Sequence, residues 1–103
     1  MQASEKLYKA AEEAVKALAV ALGLSEAQKA EEAGRWTAAL LFEAVDSTSE
    51  RLGEEFRLWW KAAWFLHAEG FHKARLSEAQ VRKEEPYAEK IVEKARREVA
   101  SSR

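Results

Sequence analysis

The sequence predicts an all-α fold, an antiparallel, HEPN-like bundle of four to five helices forming a single domain over residues 1–103. Apolar residues recur at steps of three and four along several segments, which is the spacing of one helix face. No segment shows the apolar–polar alternation of a half-buried strand. The composition, 48% hydrophobic and 34% charged, is that of a folded domain with one modest core.

The first helix is predicted from Ser4 to Leu22. Its apolar stripe consists of Leu7, Ala11, Val15, Leu18 and Leu22. Gly23 is expected to end this helix as the C′ residue, because glycine adopts the left-handed conformation at little cost. The segment from Ser25 to Gln28 has the pattern of a capping box and predicts a short helix or turn.

Two longer helices are predicted next, over residues 35–52 and 54–70, separated by Gly53. One face of the earlier helix carries Leu41, Val45, Thr48 and Leu52, and another carries Trp36 and Leu40. The core stripe of the later helix consists of Phe56, Trp60, Ala63, His67 and Phe71.

The capping-box sequence recurs at Ser77 to Gln80, where Val81 could also contact Leu76 as a hydrophobic staple. Pro86 predicts a break into a separate last helix that docks at an angle. The ring removes the hydrogen bond to Arg82, and the residue before a proline avoids helical dihedral angles. The apolar residues of that last helix are Ala88, Ile91, Val92, Ala95 and Val99.

The charge balance, 17 basic against 18 acidic residues, gives no general attraction to nucleic acid or anionic lipid, and no DNA-binding signature is present. The longest uncharged run, Ala17 to Ser25, is too short for a membrane-spanning helix of about 20 residues. We therefore expect a cytoplasmic protein that does not enter a membrane. The absence of cysteine excludes disulfides and thiolate metal sites. The absence of cysteine and asparagine, with abundant charge, resembles proteins from hot environments.

His67 and His72 are the only histidines, with Glu69 between them. Zinc-binding histidines on one helix stand four residues apart, whereas a spacing of five turns the second imidazole about 140° away. We therefore predict no metal site and no cofactor. The favoured interpretation places His67 at the edge of the core, hydrogen-bonded across the bundle.

Aromatic and apolar residues suggest two further surfaces. The tryptophans are Trp36, Trp59, Trp60 and Trp64. Packing in the core or an interface is favoured for them, and a ligand pocket is the alternative. Leu58 and Phe65, bordered by Ala62, lie opposite the core stripe and predict a homodimer interface. Alternatively, the last helix or the short helix near residues 25–33 covers them within one chain.

Four blocks of the sequence resemble the archaeal PaREP family one proteins. They are Ala3 to Leu18, Arg35-Trp36-Thr37, Ala62 to His67 with Gly70-Phe71-His72, and Pro86-Tyr87. The resemblance implies membership of the wider HEPN-like group, helical bundles that often dimerise and include partners of nucleotidyltransferases and RNA-cleaving toxins. It also implies an archaeal source. Relatives usually begin with one more helix, so we expect a shortened form whose bundle exposes a groove.

The HEPN ribonuclease motif is an Arg followed, after four to six residues, by a His, and this sequence departs from it. The corresponding positions hold Trp60, Lys61 and Ala62 before His67, and Phe65, Leu66 and His67 before His72. Lysine lacks the bidentate grip of a guanidinium on phosphate. The leading hypothesis is therefore a non-catalytic homodimer that binds a protein or RNA. The alternatives are a metal-independent ribonuclease using His67 or His72 with Lys61 or a nearby Arg, and small-molecule binding in the tryptophan-lined pocket.

Overall fold

The structure, a computed structural model, describes residues 2–72 and 77–101, with side chains for residues 5–69 and 77–101. This part of the chain contains helices and no strand, which confirms the predicted all-α bundle. The elements are α1 (Gln2–Ala21), α2 (Ser25–Ala33), α3 (Ala38–Leu52), α4 (Glu55–Phe65), a π-helix (Leu66–His72) and α5 (Glu78–Ser101). Over the same residues, no helix combines the length and apolar character required to span a bilayer.

One hydrophobic core holds the helices together, with α1 at its centre. α5 packs along α1 and α4, while α2 lies against α1 and α3. Most residues of the predicted core stripes of α1, α3 and α4 are buried, whereas Leu7, Leu22, Leu52 and His67 are half-buried. The side chain of Phe71 lies outside the described part of the structure. The largest fully buried side chains are Tyr8, Val15, Leu18, Val45, Thr48, Phe56, Leu66 and Ile91.

The end of α1 forms as predicted, but the first capping box does not. Gly23 adopts φ 66°, and the Leu24 amide donates to the Ala19 carbonyl at 2.9 Å. Leu24 is buried by this turn and takes the N-cap position of α2, with no side-chain cap. Ser25 is consequently already helical and does not cap the helix.

The second capping box does form, at the start of α5. The Gln80 amide donates to Ser77 Oγ at 3.2 Å, and the Ser77 amide donates to Gln80 Oε1 at 3.1 Å. The predicted staple between Leu76 and Val81 involves a residue outside the described part of the chain.

The helix predicted to start at residue 35 begins three residues later, because Thr37 is its N-cap. The Thr37 hydroxyl accepts a hydrogen bond from the Leu40 amide at 3.2 Å. Gly34 ends α2 at φ 76°, so Trp36 lies in the connecting segment and not on a helix face. Trp36 is still half-buried and packs against the core.

The helix predicted over residues 54–70 changes its hydrogen-bond pattern at Leu66. α4 continues directly into the π-helix, a helix type whose wider turn is closed by hydrogen bonds between residues five apart. The wider turn moves the following side chains away from the 3.6-residue pattern. His67 therefore has to be located from its contacts and not from its spacing.

The predicted break at Pro86 is wrong, because α5 is a single helix with Pro86 inside it. Residues on both sides of the proline are buried, notably Val81 and Ala88. Pro86 itself is exposed, so its ring points away from the core and water can hydrate the carbonyl that loses its partner. Packing of the two halves of α5 on one core outweighs the local preference for a break.

Candidate functional site

A cavity of about 440 Å³ lies beside α3, α4 and the start of the π-helix. Its aromatic wall is formed by Phe42, Trp60, Trp64 and Phe65. The Phe42 ring is edge-on to Trp64 at 5.0 Å between centroids and to Trp60 at 6.2 Å. Trp60 is 2% exposed, and its indole N–H has no acceptor among the described residues. The wall is therefore aromatic, and its only polar side-chain groups are the indole N–H groups of Trp60 and Trp64.

Four charged side chains line this aromatic cavity, namely Asp46, Arg57, Lys61 and Glu69, and the first two form an ion pair. Arg57 Nε lies 3.4 Å from Asp46 Oδ1, and another guanidinium nitrogen of Arg57 lies 3.6 Å from Glu54 Oε1. Lys61 also lines the cavity and is exposed. It makes no ion pair with any residue that the structure describes. The ammonium group of Lys61 is therefore an available positive charge at the cavity.

A shallower groove lies between α4 and α5 on the other side of Lys61 and Phe65. Its lining consists of Leu58, Lys61, Ala62, Phe65, Glu84 and Tyr87. Leu58 is 56% exposed, and Phe65 and Tyr87 are each 41% exposed, whereas Ala62 is buried at 8%. Neither the last helix nor α2 covers Leu58 and Phe65, so the alternative prediction of an internal cover does not hold.

Tyr87 is positioned in this groove by a neighbouring lysine. The ammonium group of Lys90 lies 5.5 Å from the centre of the Tyr87 ring and 5.8 Å from that of Trp59. Such cation–π contacts favour one placement of the rings. The apolar face of the groove thus has contributions from two helices.

His67 faces α1, where it contacts two residues near the start of the chain. Its Nδ1 lies 3.1 Å from Glu5 Oε1, and its ring stacks on Tyr8 at 4.0 Å between centroids. The interpretation of His67 as a core-edge residue that is hydrogen-bonded across the bundle is confirmed. Burial, followed by the charge and hydrogen bond of Glu12, raises the pKa of Tyr8 well above its ordinary value. Tyr8 is therefore a neutral packing partner for the imidazole.

The residues predicted for an enzyme do not all share one surface. Lys61 lines the cavity and the groove, whereas His67 packs against α1. The side chain of His72 lies outside the described part of the structure. Within the described residues, no group of three or more His, Asp or Glu side chains is arranged to hold a metal ion.

Several residues of these sites are not predicted by the sequence, among them Phe42, Tyr87 and Glu5. Phe42 follows the stripe residue Leu41 and lies on neither predicted face of its helix, yet it is 39% exposed and contacts two tryptophans. Tyr87 was noted only beside the proline. Glu5 is predicted only for the polar side of the first helix, because its contact with His67 spans 62 positions of the chain. No sequence periodicity identifies a contact of that separation.

Comparisons with known proteins place the chain among archaeal sequences. The sequence model of the archaeal PaREP1/PaREP8 family matches residues 1–92. A crystal structure of a Sulfolobus solfataricus protein is similar at a TM-score of 0.86 and 38% identity, covering 95% of this chain and 80% of that one. The solution structure of the same structural-genomics target, the Orf c02003 protein, has a TM-score of 0.80 and 38% identity, covering 95% of this chain and 76% of that one. No curated protein matches the chain.

Proposed function

Since the chain belongs to the archaeal PaREP1/PaREP8 family, we propose that it is a non-catalytic, HEPN-like helical module that acts as a homodimer and binds another macromolecule. The family predicted from the sequence is confirmed by the comparisons. The observation that carries the dimer is the exposed apolar groove between α4 and α5. Three of the five large hydrophobic side chains found exposed among the described residues line it, namely Leu58, Phe65 and Tyr87.

The charges of the groove suit a second copy of the same chain. Lys61 belongs to α4 and Glu84 to α5, and neither pairs with another described residue. A two-fold axis brings the same surface patch of two subunits together. Lys61 of one protomer can then face Glu84 of the partner subunit. This arrangement places opposite charges at the rim of an apolar contact, as interfaces commonly do.

The strength of this dimer follows from the area that is still exposed. Complete burial of a Leu or Phe side chain stabilises by roughly 1.5 to 3 kcal/mol. With about half of each side chain exposed, Leu58, Phe65 and Tyr87 contribute about 1 kcal/mol each, and a two-fold axis doubles this sum to about 6 kcal/mol. Loss of rotational and translational freedom opposes it by 4 kcal/mol or more. This leaves about 2 kcal/mol, less than the roughly 4 kcal/mol of a dimer with a Kd of 1 mM. The Lys61–Glu84 contacts and the other apolar surface of the groove therefore have to contribute as well, and we expect a dimer that dissociates on dilution.

The partner class favoured for the dimer is protein. The net charge of −1 gives no general attraction to a phosphate backbone, and the groove is mainly apolar. The absence of the Arg-His motif from the sequence supports a non-catalytic role. The different surroundings of His67 and Lys61 also support a non-catalytic role, because two groups that act on one phosphate must reach the same atoms.

Light scattering behind a sizing column, over a range of protein concentrations, tests the dimer. Wild type is expected to be a dimer at high concentration, and Leu58→Glu and Phe65→Glu to be folded monomers by circular dichroism. Val20→Glu is the matched control, because Val20 is 70% exposed on α1, away from the groove. A wild type that is monomeric at the highest concentration would overturn the dimer, as would equal disruption by Val20→Glu.

Incubation of the protein with mixed RNA in EDTA tests the non-catalytic part of the proposal. Intact RNA is expected. Cleavage that disappears in His67→Ala or His72→Ala would replace the proposal with the ribonuclease alternative.

A further inference from the structure

We propose that the cavity beside α3 and α4 is a binding site for a small molecule that combines one flat aromatic ring with one carboxylate. This site adjoins the proposed dimer groove and shares Lys61 and Phe65 with it. Its volume of about 440 Å³ falls within the range of small-molecule pockets, roughly 300 to 1,000 Å³. Phe42, Trp64 and Asp46 line the cavity and not the groove.

The aromatic wall selects the ring. Phe42, Trp60 and Trp64 are edge-on or tilted to one another, with centroids 5.0 to 6.4 Å apart. Aromatic pairs favour such offset and edge-to-face geometries over a direct sandwich, and a further flat ring can extend the cluster in the same way. Phe42 is 39% exposed although it is a large apolar residue, so a ring in the cavity also removes apolar surface from water.

The charges around the cavity select the carboxylate. Arg57 is already paired with Asp46 at 3.4 Å, so these two charges offset each other. Glu69 also lines the cavity and is engaged in another contact. Lys61 is the lining cation that pairs with no other described residue of its own chain, and in the proposed dimer the ligand carboxylate competes for it with Glu84 of the partner subunit. An anionic group on the ring gives Lys61 a partner, whereas a cationic group would face an unpaired positive charge.

The experiment uses indole-3-acetate and its neutral analogue indole-3-acetamide, which share ring and size and differ in charge. Binding is followed by NMR through the indole N–H signals of the full-length protein. Signals of Trp60 and Trp64 are expected to shift to saturation, while those of Trp36 and Trp59, which do not line the cavity, stay in place. The dissociation constant expected for a ligand of this size is about 0.1 to 1 mM.

Two variants separate the contributions of ring and charge. In wild type the acetate is expected to bind about fivefold tighter than the acetamide, as for a partly exposed ion pair. Lys61→Gln removes that difference and leaves acetamide binding unchanged. Phe42→Ala weakens both ligands by about tenfold because one ring of the wall is lost.

Several results would overturn the site. These are no saturable shift at millimolar ligand, equal shifts at all four tryptophans, or equal affinity for the acid and the amide in wild type. Leu58→Glu distinguishes this site from the dimer. If the monomeric variant binds indole-3-acetate as wild type does, the cavity works within one chain even where the dimer proposal fails. Loss of binding in Leu58→Glu would show that the cavity belongs to the dimer interface and end the proposal.

Discussion

Replacement of Pro86 by alanine is expected to stabilise the protein by about 2 kcal/mol. Proline inside a helix costs about 3 kcal/mol relative to alanine, because it removes one hydrogen bond and crowds the preceding turn. Pro86 is the ninth residue of α5, well beyond the first turn where proline is tolerated. Alanine also gives the unfolded chain more freedom, which reduces the gain by about 0.4 to 1 kcal/mol. Pro86 is exposed, so no core contact is lost with its ring.

The assay is urea unfolding followed by circular dichroism, together with thermal melting. For a domain of this size, 2 kcal/mol corresponds to a rise in Tm of about 8 to 16 °C. The urea midpoint rises at constant slope, by about 1 M. Glu89→Ala is the control, because Glu89 is exposed on α5 and pairs with no other described residue. Its unfolding free energy should change by less than about 0.5 kcal/mol.

An unchanged or lower midpoint in Pro86→Ala would refute this reasoning. It would mean that the chain gains from a bend at Pro86, as the sequence pattern predicts, and that the two halves of α5 pack better when the proline separates them.

Two smaller effects concern the ionisation of Tyr8 and the N-cap of α3. Tyr8→Phe should make the free energy of unfolding depend less on pH in alkali. Burial raises the pKa of Tyr8 above the ordinary 10.0, so the folded state holds this proton more tightly than the unfolded state does. The stability that Tyr8 contributes is therefore complete below pH 10.0 and falls as the pH rises above it. Urea midpoints of wild type and Tyr8→Phe at neutral and alkaline pH measure this, and parallel losses would contradict it. Thr37→Val should lower the free energy of unfolding by about 1 kcal/mol, because the hydrogen bond from the Leu40 amide to the α3 N-cap is lost. Thr37→Ser should retain most of this free energy in the same unfolding assay. Equal midpoints for the two variants would show that the cap contributes nothing.

The two copies of the capping-box sequence show how far local pattern determines local structure. The copy at Ser77 and Gln80 forms both of its hydrogen bonds. The same sequence at Ser25 does not cap α2, because Leu24 is buried directly after α1 and takes the N-cap position. The neighbouring Glu26 accepts a hydrogen bond from the Ser47 hydroxyl of α3 at 3.1 Å and is buried. Contact with another helix therefore overrides the local signal.

The candidate sites divide in the same way. The exposure of Leu58 and Phe65 was predicted, because both lie opposite the core stripe of one helix. The helix period alone gives this result, without information about neighbouring helices. The cavity was not located by the sequence analysis, since it depends on how Phe42 of α3 approaches the tryptophans of α4. Tyr87 lines the groove because α5 packs beside α4, a contact that the sequence does not reveal.

The sequence by itself determined the helical class, most of the buried stripes, the end of α1 at Gly23 and the family. Each of these depends on residues a few positions apart or on short sequence blocks. Tertiary structure decided the unbroken α5, the pairing of His67 with Glu5 and the aromatic cavity. The physical reason is separation along the chain. A helix period relates neighbours within one or two turns, whereas these features depend on the packing of different helices on one core, where burial of many side chains outweighs a local preference of a few kcal/mol.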